Sequence, residues 1–229
     1  IFLPTQAAAD PEIVGKVLAS HKEGKRIIMT AGFLATVDDN GKLAKLAGII
    51  KPKVGVISTE KIILDGSETA LERPLDLEAA LEIKNATVIL EAKSGNRTIP
   101  FLTQNKDGQI YVLNSHTFSD ADFKAAGEVL LSPRPLGLLD LPISWANTFR
   151  NVFNEQLQIE LNAPTRITMQ PMENGDIILQ NYNNEEVELQ LNGLENHGVL
   201  DAFTGEKVDT ASGTLKMKSR SRIWLGNED

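Results

Sequence analysis

The residues of this sequence that could do chemistry begin at the stretch GKRIIMTAGFLAT, Gly24 to Thr36. Three β-forming apolar residues, Ile27, Ile28 and Met29, run into a small-residue turn, Thr30-Ala31-Gly32, followed by Phe33 and Leu34. In α/β enzymes a strand that stops at such a turn presents a nucleophile to the crevice at its C-terminal end. Here the turn offers a methyl group at Ala31, and the chain holds no cysteine to take its place. The hydroxyl of Thr30 has a pKa far above neutral and needs an adjacent, oriented base before it can attack. A capping role for Thr30 therefore outweighs catalysis, because Ser and Thr routinely satisfy backbone groups at such turns. His116 follows a later strand in YVLNSHTFSD, with its neighbour Ser115 directed to the opposite face. Without a nucleophile to activate, His116 reads as a hydrogen-bonded residue at a strand end.

The remaining candidates thin out quickly. His21, His116 and His197 are far apart in sequence and none sits in a cluster with metal-ligand spacing. VDDNGK at 37–42 lacks the later acidic ligands of a calcium loop and reads as a turn. No glycine-rich phosphate motif is present, so neither a metal nor a cofactor is expected. The 31 acidic residues outnumber the 23 basic ones and are dispersed, with Glu185-Glu186 in a turn and Asp120 and Asp122 at a helix start. The sequence sets no two of them as the facing pair that glycoside hydrolysis needs, although folding could create one. A net charge of −8, with basic residues gathered only in the short KSR and SRSR pieces, argues against a nucleic-acid partner. No apolar run approaches the ~20 residues of a membrane span. Among the aromatics, Trp145 and Phe149 have the i, i+4 spacing of a packing face, and Trp224 alternates with apolar neighbours as a core residue would. Tyr182, set among polar turn residues in QNYNNEE, is the one candidate ligand-binding side chain.

Two regions with different patterning position these residues. Up to residue 157, helical and strand patterns alternate. DPEIVGKVLASHKEGK offers Asp10 as N-cap and Pro11 at the first helical position, between two short apolar strands, which makes a βαβ unit. KVGVIS, EKIILDG, ATVILEAK, TIPFLTQN and GQIYVLNS read as further strands, with TIPFLTQNKDGQIYVLN as the best hairpin. SDADFKAAGEVLL and LPISWANTFRNVFNEQL read as helices. From residue 158 the sequence becomes short alternating runs separated by turns, among them the hairpin signal ENGD at 173–176, which suggests a small β-sandwich. Ile1-Phe2-Leu3 reads as the end of a strand, so the chain is expected to be a piece of something longer.

IFLP, a helix and GKRIIMTAGFLA together resemble the opening of class I glutamine amidotransferases, in which a second strand leads into a G-x-C-x-G elbow. By that resemblance the elbow falls on Thr30, Ala31, Gly32 and Phe33, and the base of the family's His-x-Glu falls on His116, with Phe118 in place of the carboxylate. Ala31, Gly32 and His116 are then vestigial catalytic positions. ILQNYNNEEVELQL, GVLDAFTGEKV and LKMKSRSRIWL add a likeness to the C-terminal half of β-galactosidase-like glycoside hydrolases, where an amidotransferase-like domain and a β-sandwich follow a catalytic barrel. The resemblance implies an α/β fold, a flavodoxin-like or amidotransferase-like mixed sheet with helices over 1–157, followed by an all-β sandwich over 158–229. It implies a non-catalytic accessory region that works in assembly or in shaping a neighbouring cleft. The implied partners are an upstream catalytic domain, further copies of the chain and a polysaccharide, in a periplasmic or extracellular setting. Leu136, Leu138, Leu139 and Leu141 are the candidate interface, or cover for the domain's own core. Two alternatives stand beside this reading. One is a carbohydrate-binding module acting through Tyr182, and the other a hydrolase whose site only the fold reveals.

Overall fold

Strand β1 (Phe2–Leu3), a 3-10 turn (Thr5–Ala9), helix α1 (Ile13–Lys22) and strand β2 (Ile27–Thr30) build the first layer of the structure. β1 and β2 pair in parallel, Phe2 with Ile28 and Leu3 with Met29, which is the expected βαβ unit. The computed structural model describes residues 1–53, 55–78, 81–114, 142–154, 158–193, 199–209 and 212–227. The chain divides into two compact units, Ile1–Gly137 and Leu138–Asp229. Helix α1 begins two residues after Pro11, because Asp10 caps the turn that leads into the helix rather than the helix itself. Its Oδ1 accepts the Glu12 N–H at 2.9 Å and its carbonyl accepts the Ile13 N–H at 3.1 Å. Every residue of β2 is buried, and Ile27 and Met29 pack with Leu3, Val17, Phe33 and Leu43 in one core.

Helices α2 (Ala31–Thr36) and α3 (Lys42–Leu46) follow directly. The turn expected at VDDNGK forms, with Asp39 as its anchor: one carboxylate oxygen accepts the Gly41 N–H at 2.8 Å and the other the Leu43 N–H at 2.6 Å. Beyond α3 the chain makes a close crossing at Gly48. Its φ of +75° lies in the left-handed region, and a Cβ there would sit 2.5 Å from the Asn85 carbonyl oxygen. Strands β3 (Val56–Leu64), β4 (Ser67–Glu78), β5 (Ala86–Ser94), β6 (Arg97–Asn105) and β7 (Ile110–Leu113) complete a seven-stranded sheet in the order β1-β2-β7-β6-β5-β3-β4. β1, β2 and β7 are parallel, and the other four strands form antiparallel hairpins. The result is a mixed sheet with few helices, richer in strand than a regularly alternating α/β domain.

Where sequence and structure differ here, sheet-edge physics accounts for it. KVGVIS and EKIILDG, expected as two strands, belong to the single strand β3, which changes register between Thr59 and Lys61. β4 is polar over its first residues and so shows no apolar alternation; as the outermost strand it tolerates Pro74, which falls between its two paired stretches. The expected hairpin at TIPFLTQNKDGQIYVLN forms as β6 and β7, with Leu102 opposite Leu113 and Gln104 opposite Tyr111. The helix expected at 119–131, the four leucines at 136–141, and Ser115, His116 and His197 lie outside the described residues.

In the second unit, helix α4 (Ile143–Asn154) precedes eight short strands: β8 (Glu160–Asn162), β9 (Ile167–Pro171), β10 (Ile177–Asn181), β11 (Val187–Asn192), β12 (Val199–Asp201), β13 (Glu206–Val208), β14 (Thr214–Met217) and β15 (Arg222–Asn227). They form two antiparallel sheets, β13-β12-β15-β10-β9 and β14-β11-β8, around a core that includes Leu161, Ile177, Leu179, Leu189, Met217 and Leu225. β11 shows the strict alternation of a half-buried strand, with Val187, Leu189 and Leu191 inward. The final run GTLKMKSRSRIWL breaks at 218–221 into two strands that belong to different sheets. ENGD turns the β9–β10 hairpin as expected, with Gly175 at φ +89°. Trp145 is fully buried and meets Phe149 edge-on at 6.4 Å.

Two side chains bind this unit together. The Arg150 guanidinium donates to Asn147 Oδ1 at 2.6 Å and to the carbonyls of Ala163, Pro164 and Ile167. It thereby ties α4 to the segment that joins β8 and β9, and burial lowers its pKa from the usual guanidinium range. Asn181 is 1% exposed; its Nδ2 donates to the carbonyls of Glu185 (3.0 Å), Lys218 (2.9 Å) and Met217 (3.4 Å), and its Oδ1 accepts the Asn183 N–H at 2.8 Å. One carboxamide thus links the end of β10 in one sheet to the end of β14 in the other.

Replacing Asn181 with Ala should lower unfolding stability by about 2–4 kcal/mol, because several buried backbone groups lose their partner together; urea denaturation of the two proteins measures the difference. Asp107 supplies a pH test. Burial raises its pKa, but hydrogen bonds from the Gln109 N–H, His21 and Asn105 outweigh this and hold the carboxyl below its ordinary range. A depressed carboxyl stabilises the fold above its unfolded pKa and ceases to do so as pH falls through the folded value. Asp107→Asn should therefore be less stable than the parent protein above about pH 4, with the gap closing at lower pH, as read from melting temperatures across that range.

Candidate functional site

The elbow-like turn is built as a helix cap. Thr30 closes β2 with extended backbone, φ −81° and ψ 151°, and starts α2. Its Oγ1 accepts the Phe33 N–H at 3.1 Å and donates to the Leu3 carbonyl at 3.4 Å, so both the lone pair and the proton of the hydroxyl are engaged. Thr30 is 5% exposed, Ala31 and Phe33 are fully buried, and Gly32 and Leu34 are buried with them. A nucleophile must reach substrate, and the side chain at the elbow's central position is instead a methyl group in the core. Thr36 adds a bond from its hydroxyl to the Gly32 carbonyl at 2.8 Å. Among the described residues no imidazole or carboxylate pairs with Thr30, and no group of three or more His, Cys, Asp or Glu is placed to hold a metal ion. His116 lies outside the described residues.

In the second unit, Tyr182 is exposed at the turn after β10, and its N–H donates to the Arg166 carbonyl at 2.9 Å. The amides around it hold the turn. Asn183 Nδ2 donates to the Thr165 carbonyl at 3.0 Å, and Asn184 Oδ1 accepts from Arg220 at 2.9 and 2.7 Å. The DAFTGE turn, residues 201–206, is organised in the same way. Asp201 Oδ1 accepts the N–H groups of Phe203 (3.1 Å) and Trp224 (3.2 Å), while Oδ2 accepts the Thr204 hydroxyl at 3.0 Å. This turn holds Phe203 out to solvent, 45% exposed.

Trp224 is not the core residue that its apolar neighbours suggest. It is half-buried, with Ile223 and Leu225 directed into the core. Period-two alternation along β15 sends Arg222 and Trp224 to the outer face of the five-stranded sheet. There the Trp224 ring meets Phe203 edge-on at 5.6 Å, its Nε1–H donates to Asp176 Oδ2 at 2.9 Å, and the Arg222 guanidinium lies over the Phe203 ring at 4.6 Å. The signal for this cluster was present in SRIWL as alternation. What the sequence does not reveal is that the turn at 201–206 brings Phe203 alongside.

Among the described residues, several clefts border the strands of this unit. One, of about 510 Å³, opens between β13 and β14, with Val208, Leu215 and Ile223 among its apolar lining and Glu206 among its charged groups. A second, of about 300 Å³, borders Glu160, which accepts hydrogen bonds from Asn151 (3.3 Å), Asn162 (3.2 Å) and Asn192 (3.5 Å).

In sequence the chain matches no family model and no curated protein. Solved structures with a similar backbone course include a catalytic mutant of Gan42B, a GH42 β-galactosidase from G. stearothermophilus (14% identity, TM-score 0.48, covering 99% of this chain and 31% of that one). They also include Gan42B itself (14%, TM-score 0.44, 99% and 31%) and a β-galactosidase from the psychrophilic Marinomonas ef1 (14%, TM-score 0.43, 99% and 29%). The chain spans about a third of the length of these proteins.

Thr30→Ala should cost about 1 kcal/mol as a lost helix cap, with Thr30→Ser close to the parent protein; thermal unfolding distinguishes them. A thiol introduced as Ala31→Cys should stay unreactive toward a disulfide reagent in the native protein and react once the chain is unfolded in denaturant, because buried apolar surroundings disfavour the thiolate.

Proposed function

We propose that this chain is a non-catalytic accessory region of a larger, glycoside hydrolase-like carbohydrate-active protein, with a degenerate amidotransferase-like domain followed by a β-sandwich domain. The observation that carries this reading is the elbow: its hydroxyl caps a helix, its central side chain is a buried methyl group, and the chain has no thiol. A strand and turn with no reactive atom still bury Ile27, Met29 and Phe33, which is reason enough for the segment to persist. The two turn phrases behind the sequence resemblance, NYNNE and DAFTGE, serve as structural closures of the sandwich, as expected of a supporting domain. On this reading the chain acts through subunit assembly or by shaping the cleft of an upstream catalytic domain.

The test uses the full 229-residue chain. Glutamine and aryl β-galactosides should show no turnover above the blank, and light scattering should give a molar mass that is a multiple of 25.0 kDa. Turnover abolished by Thr30→Ala or His116→Ala would instead make the chain an enzyme. Glycan binding lost in Tyr182→Ala would favour a carbohydrate-binding module at that turn.

A further inference from the structure

The outer face of the five-stranded sheet carries side chains that the fold does not require. Its register places Arg222 opposite Gln180 and Gln180 opposite Thr168; in the next row Trp224 lies opposite Ile178 and Ile178 opposite Gln170. Directly opposed residues of antiparallel strands share a face, and the core takes the alternate positions Ile177, Leu179, Ile223 and Leu225. Phe203, exposed on its turn, lies beside this face against Trp224 and Arg222.

Three properties of the patch point to a ligand. First, the aromatic pair is fixed in place: Asp176 holds the indole N–H, and Asp201 holds the backbone of both Phe203 and Trp224. Second, among the described residues the side chains of Arg222, Gln170 and Gln180 have no hydrogen-bond partner in the protein, so planar donors and acceptors stand ready beside an apolar ring edge. Third, the elements are strands of a packed sheet, which position side chains more rigidly than loops do.

We propose that this face binds the hexopyranose units of an extended saccharide, with C–H faces against Trp224 and Phe203 and hydroxyl groups hydrogen-bonded to Gln180, Gln170 and Arg222. A pyranose has this dual character, an apolar face with a rim of hydroxyls that act as both donors and acceptors, and carboxamide and guanidinium groups complement the rim. Neighbouring strands are about 4.8 Å apart, so the three strands β15, β10 and β9 span about 10 Å, room for two rings in line. A polynucleotide would use the same stacking, but it needs a concentrated basic surface, and this face offers the Arg222 guanidinium and, across β12, Lys207, in a chain of net charge −8. The site stands on the second unit alone and does not depend on the reading of the elbow.

Trp224 provides the readout, since the chain's other tryptophan, Trp145, is fully buried. The full chain is titrated with galacto-, cello- and galacturono-oligosaccharides while tryptophan emission is followed. The proposal expects a saturable change with at least one of them. It expects Phe203→Ala, at an exposed position, and Gln180→Ala, at a half-buried one, to weaken binding about fivefold or more with unchanged melting temperature, while Tyr182→Ala binds as the parent protein does. No saturable change up to about millimolar concentrations, or a change that persists equally in both face variants, overturns it. So does an emission change that follows protein concentration rather than saccharide, which would make the face a contact between copies of the chain.

Discussion

The structure depends on one constraint: a turn that carries backbone N–H or C=O groups into the interior must supply partners for them. Each buried group left unpaired costs roughly 1–3 kcal/mol, against a total stability of about 5–15 kcal/mol for a domain. This chain meets the requirement with side chains. Thr30 caps α2, Asp39 caps α3, and Asn105 Oδ1 accepts the Ile110 N–H while its Nδ2 reaches the Leu46 carbonyl. Asn114 donates to the Pro100 carbonyl, Arg150 gathers three carbonyls, and Asn181 and Asp201 close the sandwich turns.

This constraint explains why, among the described residues, chemistry-bearing residue types gather at turns. Hydroxyls, carboxamides and carboxylates are the side chains that can mimic backbone partners at a turn. They gather where strands end, which is also where α/β enzymes place their reactive groups. Thr30 and Asp201 illustrate the overlap: each has the chemistry of a site and the hydrogen bonds of a cap. The discriminating observation is whether the donors and acceptors of the side chain are already engaged. By that measure the outer sheet face differs from the turns, since the polar side chains of Gln180 and Arg222 answer no backbone demand.

Much of this was legible in the sequence, and the parts that were not share a cause. The βαβ opening, the β6–β7 hairpin, the cap at Thr30 and most strands of the second unit, though not β13, follow from local pattern: apolar periodicity, turn residues and hydroxyls at strand ends. β4 was hidden because an edge strand can be polar and hold a proline. The start of α1 was misplaced because Asp10 binds a turn N–H two residues on, a geometry the residue type alone does not distinguish from a helix cap. Trp224 was misjudged because SRIWLG is apolar on both sides of it, and only the pairing with β10 fixes which alternate set faces the core. The aromatic cluster was out of reach for a different reason. Phe203 and Trp224 lie 21 positions apart in sequence, and their contact depends on β12 pairing with β15.

The seven-stranded sheet also has an uneven mechanical character. The β3–β4 hairpin is paired along Val56–Thr59 and Lys61–Leu64, and the β5–β6 hairpin along nearly its whole length, yet the two hairpins are joined only through Lys61–Ile63 and Glu91–Lys93. Register shifts at Thr59/Lys61 and around Leu90 lie next to that seam. Between β4 and β6 the ladder therefore narrows to three residue pairs, and the irregularities beside them are where the twist of the sheet is expected to be strongest.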